Sequence, residues 1–178
     1  MPTFNYQFTV PAPIMAVHDF HHETTVLKQL MPLPLFVQLH RFDPLGEGAV
    51  ADLTIWFGPL PVRWQAVHSQ VGLNGFTDTQ TIGPLARWQH QHHFTALNSR
   101  ITQVEEHIEY EHPAGAWLSR LLFNRPGLTI LFTYRQLVTR WRLRHYAPPA
   151  DPIRRLPSIV GGMALLALAG LLLIRWLK

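Results

Sequence analysis

Apolar and polar side chains alternate along most of the middle of the chain, between residues 35 and 111. A period of two is typical of β-strands that bury one face. The segments are separated by turn signals such as Gly58-Pro59, Asn74-Gly75 and Gly83-Pro84, which favour short links between antiparallel neighbours. We therefore predict an antiparallel meander, preceded by one earlier strand. The predicted strands span residues 4–10, 35–41, 49–57, 62–71, 76–82, 85–96 and 101–111.

Helical patterns lie on both sides of the meander. Residues 14–20 and 23–30 predict two short helices that end before Met31-Pro32. Residues 116–146 are strongly helical, but Pro126-Gly127 is expected to break them into a short helix over 116–123 and a longer one that begins at Leu128. The predicted apolar face of the longer helix consists of Leu131, Tyr134, Leu137, Val138 and Trp141.

This order of elements has one simple packing solution. A seven-stranded antiparallel sheet must bury its apolar face, and the long helix is large enough to cover it. A strongly curved sheet that grips one helix usually leaves a cavity between the two. We therefore predict an α+β domain over residues 1–146, with a curved seven-stranded antiparallel sheet around a long C-terminal helix.

Particular residues support the same fold. The chain contains Phe76-x-Asp78-x-Gln80, Gly83-Pro84, Trp88-x-His90-x-His92-x-Phe94, Glu106-x-Ile108-x-Tyr110, Pro113 and Phe132-x-Tyr134-Arg135. With these residues the chain resembles the SRPBCC superfamily, also called the START-like or helix-grip fold, and within it the bacterial cyclase-like, ligand-binding branch. The resemblance implies a cavity for a hydrophobic ligand such as a lipid, sterol, quinone or polyketide intermediate. Some members of the superfamily catalyse cyclisation or dehydration.

Strand parity predicts which polar side chains point into the cavity. In residues 85–96 the even positions are the more apolar set, so His90 and His92 should face inward. In residues 101–111 the same test turns Glu106 inward. A turn around Asn98 that keeps both apolar faces together places either His90 or His92 opposite Glu106. A buried carboxylate is costly alone, so we expect it to be linked to the imidazoles.

Other side chains are predicted to complete this site. Asp78 and Gln80 precede it by one strand, and Arg135 comes from the gripped helix. Trp64 and Trp88 suit a cavity wall because each carries an apolar ring and an N–H donor. The full set of predicted ligand-binding residues is Trp64, Asp78, Gln80, Trp88, His90, His92, Glu106, Tyr110 and Arg135.

The chemistry of this cluster leaves several interpretations open. It could be a structural network, it could orient the polar end of a ligand, or Glu106 with His90 or His92 could act as catalytic acid and base. His90, His92 and Glu106 could also form a three-ligand metal site, but we expect neither a metal nor another cofactor. The neighbouring pairs His21-His22 and His92-His93 lie at a helix junction or on opposite sides of a strand, so we explain them by lone surface histidines and not by a metal site.

An uncharged run near the end of the sequence predicts where in the cell the protein is located. Residues 156–174 contain no ionisable side chain, and Arg154, Arg155, Arg175 and Lys178 flank them. As a helix they would span roughly 28 Å, close to the thickness of the bilayer's hydrocarbon core. We predict a transmembrane anchor over residues 156–178, joined to the domain by a proline-rich basic linker over 147–155. More basic residues precede the span than follow it, which places the domain on the cytoplasmic side, in a bacterium at the inner membrane.

Composition and charge bear on whether the protein is exported, binds nucleic acid or forms a dimer. The chain has a formal charge of +4 and no cysteine, and its first residues lack the basic and apolar runs of a secretory leader. The basic residues crowd the predicted anchor, where they suit lipid headgroups, and no nucleic-acid motif accompanies them. Small residues recur every three positions from Gly161 to Gly170, a weak signal for a homodimer through the anchor helix.

Together these observations predict a membrane-tethered domain that binds a hydrophobic small molecule, such as a lipid or isoprenoid, taken from or delivered to the membrane. An enzyme of the cyclase or dehydratase kind is the first alternative, although no nucleophile is identifiable in the sequence. A membrane adaptor with a vestigial cavity is the second.

Overall fold

The computed structural model describes residues 1–23 and 25–146. The predicted linker over 147–155 and the predicted anchor over 156–178 lie outside the described residues. None of the helices in the described ranges is both long and apolar enough to cross a membrane.

The elements follow the predicted order. The strands are β1 (Thr3–Val10), β2 (Leu35–Phe42), β3 (Val50–Phe57), β4 (Leu60–Gly72), β5 (Gly75–Ile82), β6 (Arg87–Asn98) and β7 (Ile101–Glu111). The helices are α1 (Ile14–His22), α2 (Val26–Gln29), α3 (Trp117–Leu122) and α4 (Arg125–Arg142), followed by a 3-10 turn at Arg144–Tyr146.

All seven strands form one antiparallel sheet in the order β1-β7-β6-β5-β4-β3-β2. Strands β2 to β7 are thus a meander, and β1 adds to its β7 edge through eight paired residues. The sheet curves around the C-terminal helix, which confirms the predicted α+β helix-grip arrangement. Two apolar clusters form the core, one between the sheet and α4 and one around α1.

Helix α4 begins three residues earlier than predicted. The Asn124 Oδ1 accepts a hydrogen bond from the Gly127 N–H at 2.7 Å and so caps the helix. Pro126 then occupies the first turn, where its missing N–H has no partner to lose. The Pro-Gly pair therefore starts α4 rather than interrupting it.

The predicted apolar face of α4 is partly wrong. The helix buries Leu128, Phe132 and Thr139 against the sheet, whereas Leu137 and Trp141 are 60% and 59% exposed. Residues 128, 132, 135 and 139 follow the four- and three-residue spacings of one face, but Arg135 and Thr139 make that face polar in part. Hydrophobic periodicity therefore favoured the neighbouring, more apolar face, of which Leu131, Tyr134 and Val138 are half-buried and the other two residues are exposed.

One glycine fixes the approach of two central strands. Gly75 opens β5 with φ of +129° and pairs with His93 on β6. A Cβ at this position would collide with the backbone carbonyl of His92. Glycine is therefore required for β5 to lie this close to the strand that carries His90 and His92.

Candidate functional site

A cavity of about 200 Å³ lies between the inner face of the sheet and helices α2 and α4. Its wall is mostly apolar and includes Leu53, Trp64, Trp88 and Phe132. The polar side chains in the described part of the wall are His21, His68, Asp78, His90, His92 and Arg135. The cavity thus has the apolar lining and few polar groups of a small-molecule site.

Strand pairing brings four ionisable side chains together on the inner face. In the register of β5, β6 and β7, Asp78 lies opposite His90 and His92 lies opposite Glu106. Because alternate residues of β6 share a face, the two imidazoles are neighbours, with ring centres 3.9 Å apart. Of the two registers that the sequence left open, the structure has the one that pairs His92 with Glu106.

Each histidine contacts both carboxylates. The His90 Nε2–H donates to Glu106 Oε2 at 2.7 Å, and the His92 Nε2–H donates to Asp78 Oδ2 at 3.2 Å. The His90 Nδ1 is 3.3 Å from the same Asp78 oxygen. The four side chains therefore form a closed ring of contacts, which we call the Asp–His–His–Glu cluster.

One contact in the cluster is imperfect. The His92 Nδ1 is 2.8 Å from Glu106 Oε2, within ion-pair distance. The angles do not suit a hydrogen bond, however, and this buried nitrogen has no hydrogen-bond partner among the described residues. Electrostatic attraction, rather than an aligned hydrogen bond, joins His92 to Glu106.

Burial favours the uncharged forms of the side chains in the cluster, but attraction between their opposite charges outweighs this effect. Burial would raise the pKa of Asp78 and Glu106, yet the adjacent imidazoles hold the pKa of both carboxyls well below the ordinary range. Burial would also lower the pKa of His92, yet Glu106 and Asp78 raise this pKa to about 9. At neutral pH the two carboxylates are ionised and His92 is protonated.

Aromatic side chains support the cluster from the wall. The Trp88 Nε1–H donates to Asp78 Oδ1 at 3.3 Å, and Trp64 packs edge-on against Trp88 with ring centres 5.3 Å apart. Phe76 stacks on His92 at 4.1 Å between centres, and Phe132 from α4 meets His90 edge-on at 5.4 Å. These contacts fix the ring orientations of both histidines.

Arg135 reaches the cavity from α4 but does not join the hydrogen bonds of the cluster. Its Nε–H donates to the Leu30 carbonyl at 3.4 Å, and its guanidinium carbon lies 5.0 Å from the centre of the Phe132 ring. Burial lowers the pKa of Arg135, while Glu106 and Asp78 oppose that change. Arg135 thus places a positive charge on the wall near the two carboxylates.

Three predicted ligand-binding residues lie away from the described cavity wall, which does not include Gln80, Glu106 or Tyr110. The Gln80 amide instead donates to the Leu85 carbonyl at 2.8 Å and closes the turn between β5 and β6. Tyr110 is buried beside Trp88 and His112. Glu106 is only 4% exposed and lies behind the two histidines.

Two polar residues of the wall, His68 and His21, were not predicted from the sequence. His68 is buried and lies at the end of the even face of β4, so the face set by Trp64 and Ala66 could have revealed it by extension. His21, taken as a surface residue, lines the cavity. Burial lowers its pKa to about 4; the Val17 carbonyl and Glu106 oppose this change, while His92 and Arg135 add to it. His21 lies four residues after Val17 and seven after Ile14, on the apolar face of α1, but the predicted helix ended at residue 20, one residue before it.

Comparison with known proteins establishes the fold. No protein-family model matches the sequence, and no curated protein is significantly similar to it. Protein CV1439 from Chromobacterium violaceum is 10% identical, with a TM-score of 0.65, over 79% of this chain and 96% of that one. Norcoclaurine synthase from Thalictrum flavum, solved with dopamine and hydroxybenzaldehyde, is 14% identical, with a TM-score of 0.61, over 81% and 87%.

An aromatase/cyclase named Zhui, from a Streptomyces species, is 13% identical, with a TM-score of 0.57, over 80% of this chain and 90% of that one. Each of these alignments covers at least 87% of the solved chain, at a sequence identity of 14% or less. The likeness therefore shows that this chain shares the helix-grip fold of these proteins, a curved antiparallel sheet around a C-terminal helix.

Proposed function

We propose that this protein binds a small hydrophobic molecule between its sheet and α4, with the polar end of the molecule at Asp78, His90 and His92. The observation that carries the proposal is the composition of the wall, in which these three side chains contact one another in one region of a mostly apolar cavity. An apolar enclosure favours burial of a ring or short chain, and a few fixed polar groups give it one orientation.

The size of the cavity narrows the ligand class. About 200 Å³ exceeds the engineered cavity of about 150 Å³ that holds benzene. One or two fused rings, or a short isoprenoid segment, match this space, whereas a long lipid chain would extend beyond it. The polar end should carry a hydroxyl or carbonyl oxygen, because the wall offers the Asp78 acceptor and the His92 and Arg135 donors.

Solved proteins of the same fold support this class of ligand. Norcoclaurine synthase was solved in complex with dopamine and hydroxybenzaldehyde, two small aromatic molecules with oxygen substituents. The Zhui protein is named an aromatase/cyclase. Both fit the finer expectation that this chain belongs to the cyclase-like, ligand-binding branch.

The binding proposal is tested by filling the cavity. Ala66 is 3% exposed and lines the cavity, so Ala66→Leu inserts a branched side chain into the binding space. We expect the full-length protein to bind 2-naphthol in calorimetry and to release a co-purifying small molecule in mass spectrometry. Both signals should be lost in Ala66→Leu and kept in Ala96→Leu, a matched change at an exposed site. Equal binding by both variants would refute the proposal.

Acid–base catalysis is the second candidate function. The observation that favours it is that the Asp78–His92 hydrogen bond lies on the cavity wall, within reach of a ligand. Glu106, which the sequence suggested as the acid or base, lies behind the histidines and would position them instead. If the protein is a cyclase or dehydratase, His92→Gln should retain the co-purifying ligand but no longer convert it. Equal loss of binding and conversion would count against catalysis.

Tethering to the membrane is a further part of the proposal. It rests on the uncharged run of residues 156–174. The exposed face of α4 also suits a lipid surface, because Ile130, Leu137 and Trp141 are exposed there and Arg144 stacks 4.6 Å from the centre of the Trp141 ring. An anchored domain would stay near ligands dissolved in the bilayer.

The tether has its own test. Leu166→Arg adds a charge in the predicted span, which costs about 2.5–3.5 kcal/mol of insertion free energy. We expect part of this variant to leave the membrane fraction, while Leu166→Ile stays in it. If both variants fractionate alike, the tether is refuted but the binding proposal stands.

The Ala66→Leu variant also tests the adaptor alternative. If the cavity is vestigial and the protein is a membrane adaptor, this variant should keep its cellular activity although it no longer binds a ligand.

A further inference from the structure

Three donor side chains converge at one point on the cavity wall. Asp78, His90 and His92 each offer a metal-ligating atom, and these atoms all lie within 4.8 Å of one another. The Asp78 Oδ2 is 3.3 Å from His90 Nδ1 and 3.2 Å from His92 Nε2. The donors are held by two adjacent strands, Asp78 by β5 and both histidines by β6, and not by a loop.

These distances match the spacing of ligands around a small divalent cation. Zinc binds imidazole nitrogen and carboxylate oxygen at about 2.0–2.1 Å, so tetrahedral ligand atoms lie about 3.3 Å apart. The two Asp78–histidine separations already have this value. A cation could therefore enter with small movements of the side chains.

Glu106 contacts both histidines on the side that faces away from Asp78. The ring nitrogens that face away from Asp78, His90 Nε2 and His92 Nδ1, lie 2.7 Å and 2.8 Å from Glu106 Oε2. Metal-bound histidines usually donate their other ring N–H to a carboxylate, which fixes the ring and its tautomer. Glu106 accepts such a hydrogen bond from the His90 Nε2–H and attracts His92 electrostatically, so one carboxylate constrains both rings.

We propose that Asp78, His90 and His92 form a binding site for a divalent transition-metal ion, with Glu106 as the carboxylate that orients both histidines. The three ligands line the cavity, whereas Glu106 does not. A fourth coordination position would therefore open toward the cavity, where an oxygen of a bound molecule could occupy it. From the sequence we expected no metal, and the alternative metal site considered there had Glu106 as a ligand in place of Asp78.

Two imidazoles and one carboxylate define the chemical class of the ion. This donor set suits Zn²⁺, Fe²⁺ and related first-row cations, whereas Ca²⁺ and Mg²⁺ prefer oxygen ligands alone. The metal site goes beyond the proposed binding of a hydrophobic molecule and does not rest on it, because it depends on the protein's own donor atoms.

Zinc titration of the full-length, chelator-treated protein in detergent tests the site. We expect one Zn²⁺ per chain, with affinity reduced about 100-fold or more in Asp78→Asn and about 10–100-fold in Glu106→Gln. His93→Ala is the matched control, because His93 is exposed on the outer face of the same strand. It should bind Zn²⁺ as the wild type does.

A second control addresses other histidines. His18 and His22 stack with ring centres 3.8 Å apart near the surface, and they could hold Zn²⁺ without the cluster. Loss of binding in His18→Ala, with full binding in Asp78→Asn, would overturn the proposal. So would wild-type protein that binds no Zn²⁺.

X-ray absorption of the wild-type protein with Zn²⁺ gives an answer even where Asp78→Asn fails to fold. We expect two imidazole ligands and oxygen for the remaining positions. A signal with no imidazole, or with three or more, would overturn the assignment. Binding of 2-naphthol to the chelated protein is measured separately, so failure of the metal site and failure of the hydrophobic site are distinguished.

Discussion

The charge of Glu106 should contribute strongly to folding stability. Glu106, His90 and His92 are only 4%, 3% and 7% exposed. The Glu106 carboxylate is 2.7 Å from one imidazole and 2.8 Å from the other. Glu106→Gln keeps the size of the side chain but removes the negative charge that faces both rings.

The magnitude follows from the contacts that remain. Breaking a buried ion pair by removing one partner costs about 3–5 kcal/mol, since the other charge stays buried. The glutamine amide can still accept one hydrogen bond from an imidazole, so we place the loss at the lower end, about 3 kcal/mol of unfolding free energy. The pKa of His92 should fall at the same time, because Glu106 is the strongest of the charges that raise it.

Urea unfolding of the chelator-treated protein at neutral pH, followed by circular dichroism, measures this change. The matched control is Glu105→Gln, one residue away on the outer face of β7. Outer-face substitutions of this kind usually change stability by less than about 0.5 kcal/mol. If Glu106→Gln destabilises the protein by no more than Glu105→Gln, the electrostatic account of the cluster is wrong.

Three other measurements test the fold and the wall. Phe132→Ala deletes a fully buried ring and should lower the free energy of unfolding in urea by about 3–5 kcal/mol. The control Leu137→Ala, at an exposed position, should lower it by less than about 0.5 kcal/mol. Similar losses in the two variants would contradict the observed buried face of α4. His21 has a pKa of about 4 when folded and 6.5 as its ordinary value. The unfolded chain therefore takes up this proton first, and stability should fall by roughly 3 kcal/mol as pH is lowered through that interval. His21→Phe should remove this part of the pH dependence, and an unchanged slope would show that His21 is not the cause. Gly75→Ala should lose about 2–3 kcal/mol, because its Cβ would meet the His92 carbonyl; wild-type stability would refute the close approach.

The strands could be predicted well from the sequence because the alternation of side chains between two faces depends only on neighbouring residues. Side chains alternate with a period of two along each strand, so the apolar positions of β6 and β7 were enough to turn His90, His92 and Glu106 inward. The order of the elements then left one compact way to cover the sheet. The α+β helix-grip fold followed from these two arguments.

Other features depend on contacts between distant residues, and local patterns could not supply them. The face of α4 that meets the sheet includes Arg135 and Thr139, while the more apolar neighbouring face is only partly buried. Burial of a polar residue there depends on the space and partners that the sheet provides, not on the helix sequence. His21 likewise reaches the wall because α1 packs on β6. Its spacing from Ile14 and Val17 places it on the apolar face of α1, but does not show that this face borders a cavity.

A final variant separates a structural role of the Asp–His–His–Glu cluster from a functional one. Replacing a complete buried ionic network with apolar side chains of similar volume is often neutral or stabilising, by about 1–4 kcal/mol, because no group is left uncompensated. Arg135 must be replaced too, because Asp78 and Glu106 balance its buried charge. We therefore expect the combined variant Asp78→Leu, His90→Phe, His92→Leu, Glu106→Met and Arg135→Met to be at least as stable as the wild type in urea. If the cluster exists to receive the polar end of a ligand, this stable variant should bind neither 2-naphthol nor Zn²⁺. If it binds 2-naphthol as the wild type does, the cluster has no part in recognition, and the apolar wall alone accounts for binding.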